Sequence, residues 1–286
     1  MRQPRAGRRG LFSFCICIIL AFMGAVIHGQ TTRPEQPPAT QPAGPKFQDT
    51  RDRIAEVVAG VVTRTHGEKS WHQAPAVQAD LNIQMNDASP LTCTITCETQ
   101  GHRVRVDLKD GPFIVFDGDR TSTEPAGTIS EAVQAQLLVC ARMFEAPFTL
   151  GERGSQPQAY RMRPFQGEPS DVFTLTSTEK SCIKLGEWAV HANARTHLLH
   201  AVAFSWPKKG DDSPLAARCI VFQNYGTIHG VTLATKWSIF EWGGSDIEGD
   251  PIGTAAVSNV RFISPPKDYF RQPADPAAAP STRPAP

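Results

Sequence analysis

The sequence predicts an α+β domain built on one large, strongly curved antiparallel sheet, with helices packed on its concave side. Two observations carry this. Strand-like segments far outnumber helical ones, and short Gly-, Asn- or Asp-containing connections separate many of them (Asp110-Gly111, Asp117-Gly118, Asn193, Gly210, Gly226, Gly230, Gly243, Gly249). Consecutive strands with short connections pair antiparallel, and two helices can cover only one side of so many strands.

The elements follow in order. Asp49 to Thr65 reads as a helix capped by Asp49 or Thr50, with Ile54, Val57, Val58, Val61 and Val62 on one apolar stripe and Gly67 as its stop. Strands are expected at Ala79–Met85 and Thr92–Glu98. Val104, Val106 and Leu108 alternate with Arg103, Arg105 and Asp107, the pattern of a strand with one buried face. Phe113 to Phe116 is apolar throughout, so both faces of that strand should be covered. Ser130 caps a second helix to Phe144, with Val133, Leu137, Leu138, Cys140, Ala141 and Phe144 on a broad apolar face and Pro147 after it. Strands then follow at Val172–Ser177, Glu187–Ala192, Leu198–Trp206, Arg218–Tyr225, Thr232–Trp242 and Ala255–Ile263. Trp188, Trp206, Trp237 and Trp242 are the expected heavy pieces of core or groove.

Four segments divide the chain: residues 1–29, 30–46, 47–270 and 271–286. The first reads as a signal peptide, with Arg2, Arg5, Arg8 and Arg9 ahead of an apolar run from Leu11 to Ile27 and small residues near Gly29. That run is short for a membrane span, which needs ~20 residues, so a retained anchor is the rival reading. The second and fourth segments are Pro-rich and read as tethers without a core. The expected location is therefore outside the cytoplasm, on the far side of a membrane.

Composition removes several function classes. Twenty-nine basic against 28 acidic residues leave a net charge of +1, which gives no electrostatic case for nucleic acid. Cys93, Cys97, Cys140, Cys182 and Cys219 remain after the leader, too few for a disulfide scaffold and odd in number. Cys93 and Cys97 share a strand face ~13 Å apart and cannot bridge each other. Small apolar core residues is the plainer reading of all five.

Two short sets of residues carry a resemblance. His66-Gly67 and Trp71 follow the first helix, and the hairpin strands end in Phe116-Asp117-Gly118. Later come Trp188 to Leu199 (with Asn193 and Thr196-His197-Leu198-Leu199), Phe222-Gln223-Asn224-Tyr225, and Gly230-Val231-Thr232-Leu233-Ala234-Thr235. From about Asp49 to Phe270 the order is similar to the outer-membrane lipoprotein-sorting (LolA-like) superfamily, especially its uncharacterised exported members. The resemblance implies an incomplete barrel with helices closing its mouth over an apolar cavity, which in the carriers takes lipid acyl chains.

The search for chemistry finds no GxSxG elbow, P-loop, GxGxxG, CxxC or HExxH. His191, His197 and His200 lie close in sequence, but a spacing of three puts His197 and His200 on opposite strand faces. Asp110, Asp117 and Asp119 fit turns that bond their own backbone. Glu241, Asp246, Glu248 and Asp250 lack the calcium-loop spacing. No metal or cofactor is expected, and no catalytic residue. The expected function is non-catalytic binding of a lipid-like or other apolar ligand, including lipoprotein acyl chains, with at most peripheral contact to a membrane. The expected lining is Val57, Phe113, Val115, Phe144, Leu199, Phe204 and Trp237. A protein–protein interaction module and a hydrolase with an unfamiliar site are the alternatives.

Overall fold

A computed structural model describes residues 47–109, 111–151, 154–177, 187–206 and 216–271. Residues 1–46 and 272–286, Asp110 and Cys182 lie outside the described residues. Twelve strands form one antiparallel sheet. In chain order they are β1 (Ala76–Met85), β2 (Leu91–Glu98), β3 (Val104–Leu108), β4 (Phe113–Phe116), β5 (Thr121–Glu124), β6 (Ser155–Phe165), β7 (Glu168–Ser177), β8 (Trp188–Asn193), β9 (Leu199–Trp206), β10 (Ala216–Ile228), β11 (Val231–Trp242) and β12 (Ile247–Ile263). The helices are α1 (Phe47–Thr65), α2 (Glu68–Trp71) and α3 (Glu131–Thr149).

Each strand pairs with its sequence neighbour, except that β1 pairs with β12 and β5 does not pair with β6. The sheet therefore has two edges, β5 and β6, and does not close. Alternation decides which face each residue takes. Val77, Ala79, Leu81 and Ile83 of β1, Val104 and Val106 of β3, and Phe222 of β10 all enter one buried cluster with Ala55, Ala59 and Val62 of α1 and Leu137, Ala141, Phe144 and Phe148 of α3. One cluster reaching from β1–β4 round to β7–β12 requires a sheet that curves around its helices.

Two expected elements differ. The buried side of α1 is the narrow row Ala55, Ala59, Val62 and His66, while Val57 is 64% exposed and Ile54 39%. The small Ala residues let α1 approach β6, where the Ala159 N–H donates to Asp52 Oδ1 at 2.8 Å. Ile54 and Val57 are turned outward, while Val62 is buried and Val58 packs against the core. In addition, α3 runs through Pro147 to Thr149. Pro147 lacks an N–H, but within the last turn its ring does not end the helix. Ser130 caps α3 as expected, its hydroxyl accepting from Val133 N–H at 3.4 Å.

Candidate functional site

Between α3 and the concave face lies an aromatic floor. Trp71 stacks on Phe148 with centroids 4.1 Å apart and planes 7° apart, and Phe144 tilts against it at 5.9 Å. Phe222 and Trp237 meet edge to face at 5.8 Å, and the indole Nε1–H donates to Ala234 O at 3.3 Å. A void of about 10 Å³ remains among Met143, Phe144, Pro147, Phe222, Tyr225, Leu233, Ala234 and Trp237. That is space for about one water, whereas ligand pockets measure roughly 300–1,000 Å³. An ion pair sits on the buried part of α3: Arg142 donates to Glu145 at 2.8 Å, both almost wholly buried, with the guanidinium 5.4 Å from the Trp188 ring centre.

The mouth of this floor is pinned by one residue. His66 is fully buried beside Phe148 and Tyr225. Its Nδ1–H donates to Thr232 O at 2.7 Å, and its Nε2 accepts from Leu199 N–H at 3.0 Å. These two bonds fix the tautomer and join the end of α1 to β9 and β11. Burial holds the imidazole neutral, with its pKa lowered to about 4. Gly67 completes the joint at φ 90°, because a Cβ there would lie 2.0 Å from Gly230 O. Tyr225 closes it by donating its hydroxyl to Leu199 O, and burial drives that phenol's pKa upward.

No family model matches this chain, and no curated protein matches it. The LolA superfamily protein from Nitrosomonas europaea matches in structure with a TM-score of 0.51 at 13% identity, over 75% of this chain and 97% of that one. The fold is LolA-like. A DUF1329 family protein from Desulfovibrio piger has a TM-score of 0.49 at 8% identity, over 77% of this chain and 97% of that chain. An outer-membrane lipoprotein-sorting protein domain from Vibrio parahaemolyticus has 0.48 at 12%, again over 77% and 97%.

This LolA-like domain separates the seven residues expected to line a cavity. Phe144, Leu199, Phe204 and Trp237 share the concave cluster. Val57 is on the solvent side of α1. Phe113 and Val115 face away from the helices, since only Ile114 and Phe116 of β4 join that cluster. What covers their face is a C-terminal strap that sequence reading missed. The Tyr269 hydroxyl donates to Asp107 Oδ2 at 3.3 Å and accepts from Gln78 Nε2 at 3.4 Å. Arg105 Nη1 donates to Tyr269 O at 3.4 Å, its guanidinium lying 3.8 Å from the Phe113 ring centre and 4.8 Å from that of Tyr269. Phe270 is buried under Arg103. Tyr and Phe just before a Pro-rich tail were the available signal.

The thiols are not poised as nucleophiles. Cys93, Cys97 and Cys140 lie in the concave cluster, where Cys97 Sγ–H donates to Ala141 O at 3.9 Å, and Cys219 lies on the opposite face, each as a thiol. Burial pushes Cys93 and Cys219 up to about 12 and Cys140 upward as well, the reverse of what a thiolate needs. Asp117 bonds its own turn, accepting from the N–H groups of Asp119 and Arg120 at 2.9 Å. Glu241 pairs with Arg218 at 3.0 Å. Among the described residues no group of three or more His, Cys, Asp or Glu is placed to hold a metal ion.

His191 and His200 both lie against Phe165. The register between β8 and β9 shifts after His191, which pairs with Ala201 while Ala192 pairs with Leu199. His200 is thus the extra residue of a bulge, and its ring turns to the face of His191, where both meet Phe165.

Proposed function

We propose that this is an exported, non-catalytic domain of the bacterial cell envelope that takes a lipid-like chain between α3 and the concave face, with Phe144, Leu199, Phe204 and Trp237 among the residues it touches. The observation behind this reading is the aromatic floor under α3, where Trp71, Phe144, Phe148, Phe222 and Trp237 pack within one buried apolar cluster. A void of about 10 Å³ admits no acyl chain, so the ligand displaces α3 rather than filling a standing cavity. Uptake is then a shift from a closed to an open population, and the ligand's gain in apolar contact offsets the loss of helix packing. The LolA-like fold agrees with this reading without identifying the ligand.

Native mass spectrometry of the protein purified from its own envelope tests it. A surplus mass that matches a lipid and leaves on denaturation supports the reading and identifies the ligand class. An apo mass that persists after lipid is added overturns it.

A second reading, an interaction module, is favoured by the apolar surface around the β6 edge. There α1 exposes Ile54 and Val57, and β6 exposes Met162 at 66%. Co-purification of a stoichiometric protein partner, lost in Val57→Glu, would move the conclusion to it.

A further inference from the structure

The face of the sheet opposite the helices carries a basic cluster in which four buried side-chain nitrogens lack hydrogen-bond partners. His191 of β8 is fully buried, and neither ring nitrogen has a partner. Nδ1 of His200 and Nε of Arg163 are likewise buried and unpaired. The Phe165 ring lies 4.4 Å from His191 and 5.1 Å from His200, centre to centre, and Trp242 meets His191 edge-on at 5.6 Å. Beneath them Ala201, Ala203, Cys219 and Val221 form an apolar floor. Arg163 spans the rim, donating from Nη2 to Ser245 O and so tying β6 to the β11–β12 turn.

Such a box would be filled more simply by another Phe. Buried polar atoms are almost always paired, and an exception calls for an explanation. Among the described residues four of the seven such atoms belong to this cluster, and each of the four can donate an N–H. Their charges also repel. Burial lowers His191 to about 3, and Arg163, His200 and Arg161 push in the same direction. Arg163 is lowered by burial and by Arg161. The carboxylates whose charge reaches the cluster, Glu168 on His200 and Asp246 on Arg163, act in the other direction, but Asp246 Oδ1 accepts from Ile247 N–H instead. A cation would add to the repulsion. An oxyanion would accept from these side chains and offset their charge, and it would favour His191 as imidazolium with one ring nitrogen donating to it.

We propose that His191, His200 and Arg163 form a binding site for an oxyanion, a phosphate or carboxylate group, with the exposed Arg161 guiding it in. The site lies on the opposite face from the concave floor, so failure of lipid uptake there leaves it untouched.

The test follows the imidazole nitrogen resonances of the full secreted chain while inorganic phosphate, and separately acetate, is added. Saturable shifts of His191 and His200 are expected from at least one anion, with the pKa of His191 rising as the site fills. His191→Phe, which keeps the ring packing, and Arg163→Gln should each weaken binding about tenfold, the effect of losing one charge-assisted hydrogen bond. Unmoved imidazole resonances with both anions, or equal binding by both variants, would overturn the proposal. Vesicles of phosphatidylcholine with and without phosphatidic acid then separate the sources. A His191 shift that needs phosphatidic acid assigns the site to a lipid headgroup; a shift with phosphate alone assigns it to a free anion.

Discussion

Two buried histidines mark the two faces of this sheet, and they are built in opposite ways. His66 sits under the helices with both ring nitrogens bonded, one to Thr232 O and one to Leu199 N–H. His191 sits on the other face with neither bonded. Burial keeps both neutral, so a proton treats them alike. Mutation should not. Removing His66 leaves two buried backbone groups without partners, whereas removing His191 leaves none. Satisfaction, more than burial, separates a histidine that builds the fold from one that the fold merely tolerates.

The largest expected effect is the one the two share. Both pKa values are lowered from 6.5, to about 4 for His66 and about 3 for His191. The unfolded chain therefore binds more protons than the folded one between those values and 6.5, and stability falls as the pH drops through that window. At about 1.4 kcal/mol per pKa unit, the pair costs about 5 kcal/mol at about pH 4.5 relative to neutrality. Urea denaturation across the range measures this, and a flat profile from pH 7 to 4.5 would contradict the burial of both rings.

Next comes the joint beside His66. Gly67→Ala places a Cβ 2.0 Å from Gly230 O at a positive φ, which should destabilise the domain by about 4 kcal/mol. His66→Phe keeps the ring and removes both bonds, leaving Thr232 O and Leu199 N–H unpaired at a cost of about 3 kcal/mol. Chemical denaturation at pH 7 ranks the two. If His66→Phe were neutral, the satisfied node would be no stronger than the unsatisfied one, and the contrast between the faces would fail.

The same contrast explains what was legible in the sequence. Val104 and Val106 of β3 alternate with charged residues because one face is buried and the other is not, and period two is visible in any sequence. His66-Gly67 was visible as a motif, but its role was not, since its partners lie 133 and 166 positions away in sequence. β6 escaped because Pro157 and Pro164 read as breakers, yet an edge strand has N–H groups to spare. The α1 stripe was legible in part: Val62 is buried and Val58 packs on the core, but Ile54 and Val57 face solvent while the smaller Ala55 and Ala59 are buried in their place. Phe113 and Val115 were assigned to the cavity on apolarity alone. A strand apolar on both faces says that both are covered, not which cover is the ligand's. The approach of His200 to the face of His191 was not legible, because it depends on the register shift between β8 and β9.

The smallest expected effect is the most discriminating. His191→Phe at pH 7 should change stability by less than about 1 kcal/mol in either direction, because Phe165 and Trp242 already supply an aromatic box and no hydrogen bond is lost. The same variant should flatten the acid limb by about half, because half of that limb is the cost of protonating this ring. A protein that keeps its neutral stability while losing acid sensitivity would show that His191 contributes nothing to the resting fold. The reason for a histidine at that position must then lie in something it binds. A loss of several kcal/mol at pH 7 would instead make His191 a second structural node and remove the difference between the two faces.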